Sequence, residues 1–155
     1  MSDAFGAYSR SKVTLAVRLR LETIKDKEVV RRGSSLFALP NFAADGAKLI
    51  WETADHIWNA LGDTSSDVNW YTKRVTLGTV YTATVLFWLG DESPAHEDTW
   101  AFLDRRIENI MQIETAKSHI KKSKILSSAL AGPIWLLDKI ERPRWDEDLP
   151  GYSPK

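Results

Sequence analysis

The 155-residue chain contains no cysteine. That excludes disulfides, thiol nucleophiles and zinc–thiolate centres, and it fits a reducing compartment. A net charge is missing as well, because 21 Lys and Arg offset 21 Asp and Glu. No global field therefore draws the protein to nucleic acid, and an electrostatic partner has to be sought in local clusters. The start, MSDAFGAYSRSKV, has neither the basic nor the apolar region of a secretory signal. The best apolar run, ILSSALAGPIWLL at 125–137, falls short of the roughly 18 residues a spanning helix needs. A glycine-rich phosphate loop, a dinucleotide fingerprint and a nucleophile elbow are all absent. His56, His96 and His119 stand far apart, with no partner at metal spacing. These absences predict a protein without catalytic residues, metal or cofactor, either soluble or peripheral to a membrane. The length suits one domain with one core.

Two segments give conflicting signals. Val13, Leu15, Val17, Leu19 and Leu21 alternate as a strand would, yet Val13, Val17 and Ile24 with Ala16 and Leu21 also fit a helical stripe. The Leu, Arg, Glu and Lys content favours a helix over 12–24. The second segment, RVTLGTVYTATVLFWLG, has the β-branched and aromatic composition of a strand. Trp70, Arg74, Leu77, Tyr81, Val85 and Trp88 nevertheless recur every three or four residues, over a length no ordinary strand reaches. The spacing predicts a helix over 67–89, opened by a reciprocal cap between Thr64 and Asp67 and closed by Gly90.

Between and beyond these lie three further helices. Asp26 caps one over 27–39, ended by Pro40. From Asn41 onwards, Ile50, Ala54, Ile57 and Leu61 mark another that Gly62 stops. Ser93 caps a third, with Pro94 in its first turn and Trp100, Leu103, Ile107 and Ile110 lining a stripe that reaches Lys117. The expected organisation is a flexible leader at 1–11, a helical domain at 12–117, an amphipathic helix at 118–141 and a disordered tail at 142–155.

What the chain does have is tryptophan, seven in all. Such rings either fill a small helical core or line a cavity for an apolar ligand, and Trp51, Trp58, Leu77, Tyr81, Trp88 and Trp100 are the candidates for that lining. Adjacent helical residues point about 100° apart, so Trp70 and Tyr71 cannot share one narrow stripe. With one ring inward, the other covers surface beside Lys73 and Arg74. That describes either a partner patch or a boundary position with cation stems lying over a ring.

The final segment begins with Lys117, Lys121, Lys122 and Lys124 and continues with Leu126, Leu130, Ile134, Trp135 and Leu137, interrupted at Gly132-Pro133. Lysines near an anionic bilayer contribute about 1 kcal/mol each, and apolar burial adds about 1.5 kcal/mol or more per side chain. Docking on the protein's own core gains the apolar part equally, so the lysine cluster is what favours membrane contact.

GDTSSDVNWYTKR at 62–74 and DTWAFLDRRIENIM at 98–111 resemble the lipid-binding accessory protein family of ubiquinone biosynthesis, the ninth Coq component, over about Val13 to Lys117. The resemblance implies an all-α, TetR-like ligand-binding and dimerisation domain, lacking here the N-terminal helix-turn-helix and hence nucleic-acid binding. It implies a homodimer paired through the helices at 67–89 and 94–117, and an isoprenoid or quinone lipid in the former effector pocket. It further implies a C-terminal membrane helix and presentation of quinone intermediates to the demethoxyubiquinone hydroxylase. Asp67, Asn69, Trp70, Tyr71, Lys73 and Arg74 would form the patch that engages that enzyme. The location implied is the cytoplasmic face of a bacterial inner membrane or the matrix face of the mitochondrial one. The competing expectation is a ligand-sensing remnant of a TetR-type regulator.

Overall fold

The computed structural model describes residues 10–122, with side chains described for 10–112. Those residues form five α-helices and no strand: α1 (Arg10–Glu22), α2 (Lys27–Phe37), α3 (Ala43–Ala60), α4 (Val68–Gly90) and α5 (Glu97–Lys122). The expected leader at 1–11 lies almost wholly outside the described residues, as do most of the 118–141 segment, its Gly132-Pro133 interruption and the tail. No helix among the described residues is long and apolar enough to cross a membrane.

Both conflicts resolve to helix. In α1, Val13, Val17 and Leu21 are sealed in the core, whereas Leu15 and Leu19 remain half exposed. The alternation was therefore incidental, and the period of four is what packing uses. In α4, Thr72, Thr79, Thr82 and Thr84 donate their hydroxyls to the carbonyls of Val68, Val75, Gly78 and Val80, at 2.8–3.0 Å. This back-bonding lets β-branched residues sit in a helix without stranding a polar group. Leu77, Val80, Val85, Trp88 and Leu89 then meet Ala54, Ile57 and Trp58 of α3 and Leu103 and Ile107 of α5. α4 is thus the central helix, with α3 and α5 packed against it and α1 and α2 bridging pairs of the others.

The helix ends position the corners. Asp26 caps α2 by accepting from the Glu28 backbone N–H at 2.8 Å. α3 ends in a left-handed residue, Gly62 (φ 81°). There the N–H groups of Gly62 and Asp63 turn back to the carbonyls of Asn59 and Trp58 at 3.0 Å, the paired bonding that closes a helix and redirects the chain. The start of α4 differs from expectation. Asp67 is itself the cap, accepting from the Asn69 backbone N–H at 2.9 Å, while Ser65 turns to Asp63 instead of leaving Thr64 to pair with Asp67. A carboxylate directly before the helix reaches the free N–H groups without help from a hydroxyl three residues earlier.

At the other end of α4, Lys27 and Arg31 of α2 donate to the carbonyls of Asp91 and Leu89 at 2.9 and 2.7 Å. Cations there satisfy the last carbonyls and the negative end of the helix. Pro94 opens a 3₁₀ turn (Pro94–His96) with positive φ at Ala95 and His96, so α5 itself begins only at Glu97. Asp91 fastens this turn by accepting from the Ser93 N–H, the Thr99 N–H and the Thr99 hydroxyl. The bonds from Ser93 and Thr99 hold its carboxyl far below the usual range. α5 continues through Lys117 to Lys122.

Two glycines give opposite expectations. A Cβ on Gly46 would lie 2.7 Å from Phe37 Cβ, whereas one on Gly33 would meet nothing nearer than 3.9 Å. Gly46→Ala should therefore destabilise by about 1–3 kcal/mol through overpacking of α2 on α3. Gly33→Ala should stabilise by up to about 1 kcal/mol through helix propensity. Urea unfolding of the two variants beside the parent checks both signs.

Candidate functional site: an aromatic face locked by a buried ion network

Gly62 turns the chain so that Asp63 points back at α4, and two successive cations of that helix close on it. Lys73 Nζ reaches Asp63 Oδ1 at 2.7 Å, and an Arg74 amino group reaches Asp63 Oδ2 at 3.1 Å. Arg74 Nε also donates to Asp55 of α3 at 2.6 Å. Further donations go to the Trp70 carbonyl at 3.1 Å and the Asn59 side chain at 3.3 Å. Two carboxylates and two cations make the cluster neutral, which is the condition under which charges tolerate burial. Residue exposure is 6% for Lys73 and 1% for Arg74. Burial pushes the Asp63 carboxyl up, but hydrogen bonds from Lys73, Ser65 and Arg74 outweigh it and hold the group below its ordinary value.

The network fixes the rings around it. The Arg74 guanidinium lies 4.0 Å over the Trp70 ring. Trp70 in turn meets Tyr71 edge-on at 4.8 Å and Trp51 of α3 at 5.6 Å. Trp51 and Tyr71 are also near each other, at 6.2 Å. On the inner side, Trp58 donates its Nε1–H to the Lys73 carbonyl at 3.0 Å, and Lys73 Nζ stands 5.3 Å from its ring. Trp70 and Trp58 are buried, while Trp51 and Tyr71 are half-buried.

This geometry corrects the expected partner patch. Trp70, Lys73 and Arg74 are interior residues, because a cation on the buried stripe of α4 is held more favourably by two carboxylates than it would be facing an apolar neighbour. What remains toward the surface is the half-buried Tyr71 and Asn69, the exposed Asp67, and the half-buried Trp51, one of the residues expected to line a lipid site. Of the six expected lipid-lining residues, five belong to or pack against one hydrophobic core, and Trp51 stands apart from it. Trp58, Leu77 and Trp88 are core residues. Trp51 joins the aromatic face, Tyr81 is half buried, and Trp100 stacks under Arg18 of α1 with its Nε1–H donated to the Ala95 carbonyl. Burial raises the Tyr81 hydroxyl, against an opposing pull from Arg20.

Of the expected membrane residues, Lys121 and Lys122 sit at the end of α5; Lys124, Leu126, Leu130, Ile134, Trp135 and Leu137 lie outside the described residues. Asp55, Asn59 and Asp63 escaped the sequence reading. The usable signal was Arg74 on an apolar stripe, which demands a nearby acid.

Fold and site together define an all-helical domain whose α3–α4 corner carries a locked aromatic face. Residues 43–114, which contain that corner, match the COQ9 family model. The chain is 36% identical over 121 residues to a protein named probable ubiquinone biosynthesis protein coq9, mitochondrial, from Dictyostelium discoideum, covering 76% of this chain and 39% of that protein. It is 38% identical over 102 residues to ubiquinone biosynthesis protein COQ9, mitochondrial, of Rattus norvegicus, covering 65% of this chain and 33% of the rat protein. The human protein of the same name is 36% identical over 102 residues, 65% of this chain and 32% of its own length. Over the matched segment the chain is similar to the COQ9 family, and it spans between about a third and two fifths of the length of these curated relatives.

The network sets an acid limit. A group whose folded value is lowered contributes stability above its unfolded value, about 3.9 for Asp, and loses it as pH falls through the folded value. Asp63→Asn should cost about 3–5 kcal/mol at neutral pH, because it leaves a buried cation uncompensated. It should also flatten the acid side of the stability curve below about pH 4, as measured by urea midpoints across pH.

Proposed function

We propose that this chain is a non-catalytic, lipid-binding accessory protein of ubiquinone biosynthesis. In this reading it holds a polyprenyl quinone intermediate and presents it to the demethoxyubiquinone hydroxylase, acting as a TetR-like homodimer on the matrix face of the mitochondrial inner membrane. The observation that carries the reading is the Trp51–Tyr71 face, half-buried and backed by Trp70 and Arg74, inside the segment that matches the COQ9 model. Rings presented without freedom to collapse are what an interface anchor requires. The relatives' names support a place in ubiquinone synthesis and the mitochondrial location.

The dimer draws support from the outward face of α4. Val75 and Leu86 are 56% and 57% exposed there, and Phe87 stacks on Phe102 of α5 at 4.6 Å. Membrane contact draws on the lysines from Lys117 to Lys124 and the apolar residues that follow them. The step is transfer: the protein shelters an apolar tail and forms no bond.

One experiment tests these parts together. The full chain, floated with anionic liposomes carrying demethoxyubiquinone and then weighed by native mass spectrometry, should appear at twice the subunit mass with quinone bound. It should also retain the hydroxylase, and Tyr71→Ala should weaken that retention by about tenfold or more while leaving the fold intact. Failure to float would remove the membrane role, and recovery without quinone would remove the carrier role. Trp70→Ala is the wrong probe, since emptying a buried indole site costs about 3–5 kcal/mol of stability on its own.

A further inference from the structure

We infer that Arg74 is a positioning residue for docking: its guanidinium, gripped by Asp55 and Asp63, holds the Trp70 ring as a fixed platform on which Trp51 and Tyr71 are presented to the partner. The inference rests on the docking role proposed above and adds which buried groups make that face competent. Arg74 touches every part of the corner. It bonds Asp55 and Asn59 on α3, Asp63 in the α3–α4 turn and the Trp70 carbonyl on α4, and it stacks on the Trp70 indole. Of the three rings Trp70 is buried, and the two half-buried rings, Trp51 and Tyr71, lean on it at 5.6 and 4.8 Å.

A planar fork does this where a point charge cannot. The guanidinium reaches two carboxylates from different nitrogens while its central carbon sits 4.0 Å over an indole, which an ammonium group, with one nitrogen, cannot do at once. Lys73 illustrates the difference within the same cluster, since its ammonium reaches Asp63 through its one nitrogen, whereas Arg74 reaches Asp55 through Nε and Asp63 through an amino group. Losing the fork frees Trp70 to change rotamer, and the Tyr71 and Trp51 rings then sample several arrangements of which one fits the partner. Binding falls by the fraction of time that arrangement is absent.

The test is Arg74→Lys in the full chain, with two comparisons: Val80→Ala, a core change on the same helix away from the cluster, and Tyr71→Ala. Binding to immobilised demethoxyubiquinone hydroxylase is followed well below every variant's melting temperature, and the Tyr71 ring protons are observed by NMR. Arg74→Lys should lose about tenfold or more in affinity. Its Tyr71 signals should move toward free-tyrosine positions as the Trp70 ring current is lost. Val80→Ala should bind within about twofold of the parent, with Tyr71 unshifted.

Parent-like binding by Arg74→Lys, or an equal loss in Val80→Ala, would overturn the positioning role. If Tyr71→Ala binds as the parent does, the docking reading itself fails and this inference falls with it. If Tyr71→Ala loses binding and Arg74→Lys keeps it, only the positioning role fails. Should Arg74→Lys not fold, Asp55→Asn carries the same comparison, because it removes one of the two carboxylates gripping Arg74 at a position that is 30% exposed.

Discussion

A guanidinium with no exposed surface must have every donor edge and its charge answered by the protein, and at the α3–α4 corner that requirement fixes much else. Arg74 needs two carboxylates. One comes from α3 as Asp55, and the other from a turn that only a left-handed residue, Gly62, could aim back at the helix. Satisfying Arg74 therefore sets the separation of α3 from α4, the path of the connecting turn and the seat of Trp70. The aromatic face is the outer consequence of an inner electrostatic constraint.

The two ends of α4 are held by different means. At its start the fastening is buried and neutral, and it involves residues of α3 and the turn. At its end Lys27 and Arg31 of α2 cover the last carbonyls, and the buried Asp91 ties the turn that launches α5. The middle of α4 is given over to packing, with its threonine hydroxyls turned inward to their own backbone.

How far the sequence could be read depended on range. The all-helical class, the cap at Asp26, the stop at Gly62 and the choice of helix for α1 and α4 rest on local spacing, and local spacing survives folding. Arg74 shows where local reading ran out, because it fitted both the buried stripe with Trp70 and Leu77 and a surface patch with Lys73. Only the position of Asp55, a helix away in space, and of Asp63, beyond a turn, decides between the two. The same reason misassigned Trp51: its spacing with Trp58 put both on one helix, but not that one ring would face Tyr71 and the other Lys73. Asp67 and Thr64 were close enough in sequence to suggest a shared cap, and a single carboxylate next to the helix proved sufficient.

Arg74 is held between two carboxylates and an indole. The most direct measurement is nitrogen-resolved NMR of the arginine side chains at neutral pH. A slowly exchanging Arg74 Nε–H with cross-relaxation to the Trp70 ring protons is the predicted result. An Nε–H that exchanges as fast as those of surface arginines, with no transfer to Trp70, would contradict the account.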